Sequence, residues 1–147
     1  MIEPLDETPW GDESESIELS FTAQPELVVL ARFAAATVAA RAGFDLEEIE
    51  DLRLAVDELF VSFGPMSEDG CVRMELDRSD DTVSIVGTFD RFAGAPASKE
   101  KDGPDGSWER AAELSELLLD SLVDEHGRET RNGKPVAWLR KRRTAAQ

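Results

Sequence analysis

The chain has 147 residues, with 32 Asp and Glu against 16 Lys and Arg and a formal net charge of −16. This length fits one domain with a sizeable core, and the acidity argues against direct binding to nucleic acid. A single cysteine excludes an internal disulfide, and with the single histidine it forms no metal-ligand cluster, so only carboxylate-based Mg²⁺ binding stays open.

The charge is concentrated in the first half of the chain. Residues 1–70 carry 17 acidic and 3 basic residues, whereas residues 71–147 carry 15 and 13. An acidic half favours a basic protein partner. The acidic N-terminus lacks a secretory apolar region, and the weakly polar run 33–40 is too short to span a bilayer. We therefore expect a cytoplasmic protein without membrane contact.

The first elements are a tail, a strand and a helix. Residues 1–15 are acidic, contain Pro and Gly, show no periodicity and predict a disordered tail. Ile17, Leu19 and Phe21 alternate with polar residues, which predicts a half-buried strand. A helix follows from Pro25 and ends near Gly43.

The second helix, residues 46–62, follows the N-cap residue Asp45 and carries two stripes. The first is apolar and predicts the side that faces the core: Leu46, Ile49, Leu52, Val56, Leu59, Phe60 and Phe63. The second lies at the edge of the first and reads Asp51, Ala55, Glu58 and Ser62. It is either the floor of a polar pocket or a solvated acidic face.

The remaining pattern predicts two strands, a long loop, a third helix and two more strands. The strands are centred on residues 72–76, 83–89, 128–131 and 136–139, with a hairpin turn at Asn132-Gly133. The loop, residues 90–107, suggests a lid or a binding loop. A tail of residues 143–147 completes the chain. We predict one α/β (α+β) domain over residues 16–142, a two-layer sandwich whose mostly antiparallel sheet is covered on one face by three helices.

Two segments resemble the anti-sigma-factor and serine-protein-kinase branch of the histidine-kinase-like ATPase (GHKL) fold. They are residues 49–58, IEDLRLAVDE, and residues 133–141, GKPVAWLRK. The resemblance covers about residues 16–142. It implies ATP and Mg²⁺ as cofactors, with Glu58 as the catalytic residue that polarises the acceptor hydroxyl. It also implies that Ser62 stands at the Mg²⁺-binding position, where the family has Asn, so the metal ligand is shorter and weaker.

The resemblance implies two further nucleotide motifs. In the Asp-x-Gly-x-Gly motif, Asp90 would contact adenine and Gly94 would be the last glycine, but Phe92 replaces the first. A second register puts Thr88 at the Asp position, and the sequence does not decide between them. Gly103 and Gly106 stand in the phosphate-binding turn, among acidic residues.

These departures lead to two hypotheses about function. In the first, the protein is an anti-sigma-like regulator that sequesters a sigma factor, exchanges it with an anti-anti-sigma protein of the STAS type, and has weak or no ATP binding. In the second, it is an active serine kinase for that anti-anti-sigma protein. A homodimer is compatible with either. The candidate partner-binding residues are Arg41, Glu47, Glu48, Glu50 and Asp57.

Overall fold

The computed structural model describes residues 14–63, 70–92 and 107–144, with side chains from residue 109 in the last range. A short 3₁₀ helix, Pro25–Leu27, precedes α1. The other elements are β1 Ser14–Thr22, α1 Val28–Arg41, α2 Leu46–Val61, β2 Gly70–Ser79, β3 Thr82–Arg91, α3 Ser107–Leu122, β4 Glu125–Arg131 and β5 Lys134–Arg142. The predicted order of strands and helices is confirmed, while the tail predicted for residues 1–15 falls almost wholly outside the described residues.

The five strands form one antiparallel sheet in the order β1-β2-β3-β5-β4. Alternate residues of the inner strands are buried, and the helices cover that face. The predicted two-layer sandwich is therefore confirmed. Within the described ranges, no helix is long and apolar enough to cross a membrane.

Local sequence signals fix the helix ends and the turns. Gly43, at φ +83, follows the last residues of α1, a backbone conformation that glycine adopts without strain. Asp45 caps α2: its carboxylate accepts from the Glu48 N–H, while Glu48 accepts from the Asp45 N–H. Asn132 and Gly133, both at positive φ, make the tight turn between β4 and β5.

The core lies between the helices and the covered face of the sheet. Leu52, Val56 and Leu59 of α2 are at most 1% exposed, which confirms the centre of the predicted apolar stripe. Its first member does not fit: Leu46 is 83% exposed because it stands at the first turn of α2, beyond the edge of the core.

Candidate functional site

The second stripe of α2 faces α3. Ala55 is buried, and Asp51, Glu58 and Ser62 are half-buried. The hydroxyl of Ser115, on α3, donates to Glu58 Oε1 at 2.5 Å. The hydroxyl oxygen of Ser115 also lies 3.2 Å from the backbone carbonyl oxygen of Glu58. At Glu58 the stripe is not a freely solvated acidic face, because α3 packs against this residue. For the same reason it is not the floor of an open pocket there.

Ser62 stands where α2 ends. It is the C-cap residue, and its backbone N–H donates to the carbonyls of Leu59 and Phe60. A C-cap position puts Ser62 beside the negative end of the helix dipole, which favours a cation. This placement is compatible with Mg²⁺, although a lone hydroxyl is a poor site without carboxylate or phosphate ligands.

Aromatic rings fill the space between the end of α2 and the covered face of the sheet. The ring centroid of Phe63 lies 5.9 Å from that of Phe60 and 6.3 Å from that of Phe89 on β3. Phe60 also lies 6.1 Å from Phe21 of β1. We call Phe21, Phe60, Phe63 and Phe89 the aromatic cluster. A Cβ on Gly87 would come within 3.1 Å of the Phe63 ring, so this region is closely packed.

Asp90 lies on the other side of the sheet. Because side chains alternate along a strand and Phe89 points into the core, Asp90 and Thr88 point away from the helices. Asp90 Oδ2 pairs with Lys134 Nζ at 3.1 Å. In either register of the Asp-x-Gly-x-Gly motif, the residue at the Asp position, Asp90 or Thr88, therefore faces away from Glu58. The glycines proposed with it, Gly94, Gly103 and Gly106, lie outside the described residues.

The proposed partner-binding residues fall into different environments. The prediction that Glu48 is a surface contact is wrong: Glu48 is 8% exposed, and its second carboxylate oxygen accepts from the Thr144 N–H. Burial alone would raise its pKa, but the hydrogen bonds from the Thr144 and Asp45 N–H groups lower the pKa of Glu48. Glu47 is exposed, as expected for a contact residue.

Three of these candidates form ion pairs within the chain. Glu50 pairs with Arg53 at 2.8 Å, and Asp57 with Arg32 at 3.4 Å. Arg41 Nη2 lies 2.5 Å from Glu15 of β1. The Arg41 side-chain hydrogen bond, aided by Arg78, lowers the pKa of Glu15 to about 2. A partner that used Arg41 would have to compete with Glu15.

Sequence reasoning missed two contributors to this region. Ser115 lies on the buried side of α3, three residues after Ala112 and four before Leu119, and that spacing could have identified it. The aromatic cluster joins residues far apart in the chain, so no local pattern indicates it. In the described ranges, no group of three or more His, Cys, Asp or Glu side chains could hold a metal ion.

A five-stranded antiparallel sheet under three helices, with a glutamate on α2 facing α3, is the architecture of a histidine-kinase-like ATPase domain. No protein-family model matches the chain. The serine-protein kinase RsbW of Listeria monocytogenes is 33% identical over 125 residues, 76% of this chain and 77% of that protein. The RsbW kinases of Bacillus pumilus and Bacillus subtilis are 31% and 27% identical, over 84% and 86% of both chains. The chain belongs to the RsbW serine-protein kinase family, which confirms the resemblance seen in its sequence.

Proposed function

We propose that this protein is an anti-sigma-like regulator that binds and sequesters a sigma factor and releases it when an anti-anti-sigma protein binds instead. Family membership supports partner switching as the general mode of action. The proposal includes a cytoplasmic role in transcription regulation, with a stress signal as trigger. In this proposal, nucleotide binding is weak or lost, and sequestration does not depend on ATP.

The observation that carries the loss of nucleotide binding is the opposite placement of Glu58 and Asp90. Asp90 points away from the helices, whereas Glu58 lies on a helix that covers the other face of the sheet, and this arrangement disfavours contact of both carboxylates with one ligand. Between them lies the aromatic cluster, whose rings occupy the covered face beside Glu58. A base and ribose bound against that face would have to displace Phe63 or Phe89.

Isothermal calorimetry with ATP and Mg²⁺ tests the nucleotide part of the proposal. We expect no binding at millimolar ATP and no rise in Tm, because a ligand stabilises a protein only when it binds the folded state. Micromolar binding would contradict the proposal and would put the kinase hypothesis first.

A binding assay with purified sigma factors of the source organism tests sequestration. We expect one of them to bind equally well with and without ATP, and to be displaced by a STAS-type protein. Because the first half of the chain carries most of the negative charge, we expect the association rate to fall steeply with salt. A salt-independent association rate would count against an acidic contact surface.

The alternative is an active serine kinase, which the retained Glu58 and the kinase relatives favour. In that case Glu58→Ala would abolish phosphorylation of a serine on the anti-anti-sigma protein and leave binding intact. In a regulator that only binds, Glu58→Ala would leave sigma-factor release unchanged at saturating ATP. Phosphate transfer from labelled ATP separates the two hypotheses.

A further inference from the structure

Helices α2 and α3 together present leucine side chains to solvent. Leu54 of α2 is 52% exposed, and Leu114, Leu117 and Leu118 of α3 are 58%, 66% and 39% exposed. We call these four residues the leucine ridge. The three on α3 have the spacing of one helix side, i, i+3 and i+4. Contiguous exposed leucines on a folded domain commonly mark a binding surface.

The contact between the two helices puts Leu54 and Leu118 on the same side of the Ser115–Glu58 hydrogen bond. The start of α2 and the end of α3 lie at the same end of the sheet, because Glu48 accepts from Thr144 and the Asp124 N–H donates to Arg140. The two helices are therefore antiparallel where Ser115 contacts Glu58. Leu54, four residues before Glu58, and Leu118, three after Ser115, lie one turn from that contact toward the same end.

Acidic side chains lie along α2 and α3 near the leucine ridge, where Arg110 is a basic side chain one turn before Leu114. Glu47 and Glu113 are exposed and Asp51 is half-buried, on the same two helices. None of the three pairs with a basic side chain in the described part of the chain. By contrast, the acids on the flank of α3 that faces β4 are paired, Glu116 with Arg128 and Asp120 with His126. The ridge thus combines an apolar centre with unpaired negative charge.

We infer that the leucine ridge is a docking surface for an amphipathic helix of a partner protein, with an apolar stripe flanked by Lys and Arg. The stripe would cover the leucines, and its cations would meet Glu47, Asp51 and Glu113. A second copy of this chain fits less well, because acidic rims would face each other in a protein of net charge −16. The same charge disfavours an anionic lipid surface and the acidic residues 1–13.

This inference rests on the proposed binding role and adds to it where the partner binds. The probe that tests it is a fluorescein-labelled synthetic helix of leucine and lysine, about five turns long, compared with a version that has glutamate in place of lysine. We expect the lysine peptide to bind and the glutamate peptide not to bind, by fluorescence anisotropy. Equal binding of the two peptides would overturn the charge argument.

Substitutions on the ridge locate the peptide. Leu114→Ser with Leu117→Ser should weaken binding about tenfold, because truncating central apolar contacts removes most of the binding energy. Leu30→Ser is the matched control, since Leu30 is 45% exposed but lies on α1. Circular dichroism and Tm check that each variant folds. Equal affinities of the ridge variant and the control would overturn the assignment.

The sigma-factor assay separates this inference from the proposed function. A sigma factor that binds the wild type and binds the Leu114→Ser, Leu117→Ser variant with the same affinity would overturn the docking surface and leave sequestration intact. If no sigma factor binds but the lysine peptide binds through the ridge, sequestration fails and the docking surface stands.

Discussion

The hydroxyl of Ser115 donates to the carboxylate of Glu58 across the contact between α3 and α2, with 2.5 Å between the two oxygens. Ser115 is 2% exposed, whereas Glu58 is half-buried. The glutamate that the family resemblance marks as catalytic is therefore a hydrogen-bond acceptor between two helices. Replacing Glu58 would therefore remove a contact between α2 and α3, apart from any effect on catalysis.

Ser115→Ala should lower the free energy of unfolding by about 1 kcal/mol, because a hydrogen bond to a charged acceptor is lost while Glu58 regains water. Ser121→Ala is the matched control, since Ser121 is exposed and bonds only to a carbonyl of its own helix. Urea unfolding measures both. An equal effect of the two substitutions would contradict a stabilising role for the contact.

Glu48→Ala should cost about 2 kcal/mol, because it removes half of the α2 capping box and leaves the Thr144 N–H without its acceptor. Glu47→Ala, at the exposed neighbouring position, should change the free energy by less than about 0.5 kcal/mol. Thermal unfolding distinguishes them. A Glu47 effect as large as that of Glu48 would contradict the assigned burial.

Glu15→Gln should destabilise the protein near neutral pH and lose its effect in acid. The pKa of Glu15 in the folded state is about 2, below its ordinary value of 4.5, because Arg41 and Arg78 donate hydrogen bonds to its carboxylate, so the ionised form stabilises the fold above pH 4.5. That contribution is lost as the pH falls from 4.5 toward 2. At neutral pH we expect Glu15→Gln to lower the free energy of unfolding by roughly 1 kcal/mol, since the pair with Arg41 is at the surface. Urea midpoints of wild type and variant across this range should converge.

Gly70→Ala should destabilise more than Gly127→Ala. A Cβ on Gly70 would lie 2.7 Å from the backbone oxygen of Asp90, which cannot move without disturbing the β2–β3 ladder. On Gly127 it would meet the Trp138 ring at 2.9 Å, and a side chain can shift. We expect Gly70→Ala to lower the free energy of unfolding by about 2 kcal/mol or more, and Gly127→Ala to lower it by about 1 kcal/mol. The reverse order in urea unfolding would contradict this packing argument.

The sequence was informative wherever a local rule applied. The Asp45 cap, the Gly43 stop and the Asn132-Gly133 turn each depend on a few neighbouring residues, and all three are confirmed. The extent of the strands was less clear: β4 begins at Glu125 rather than near Arg128, because its polar residues lie at a sheet edge without an apolar pattern.

The candidate site was harder to predict because its geometry depends on distant residues. Nothing near Glu48 indicates that Thr144 covers it. The alternation of Val83, Ile85 and Phe89 does indicate that Asp90 faces away from the core, but the contact of Phe89 with Phe63 joins residues far apart in sequence. Motif spacing located Glu58 on its helix, but only the packing of α3 shows what Glu58 contacts.

The position of β5 between β3 and β4 has a consequence for how the protein is made. β2 and β3 are joined by a short turn and pair with each other, and β1 pairs with β2 although α1 and α2 lie between them in sequence, so these three strands can pair before the later ones are made. The central pairing of β3 with β5, and the bond from Thr144 to Glu48, 96 positions earlier, must wait for the last strand. Until then one edge of β3 lacks its partner strand, and an unpaired strand edge is a template for aggregation in an incomplete chain.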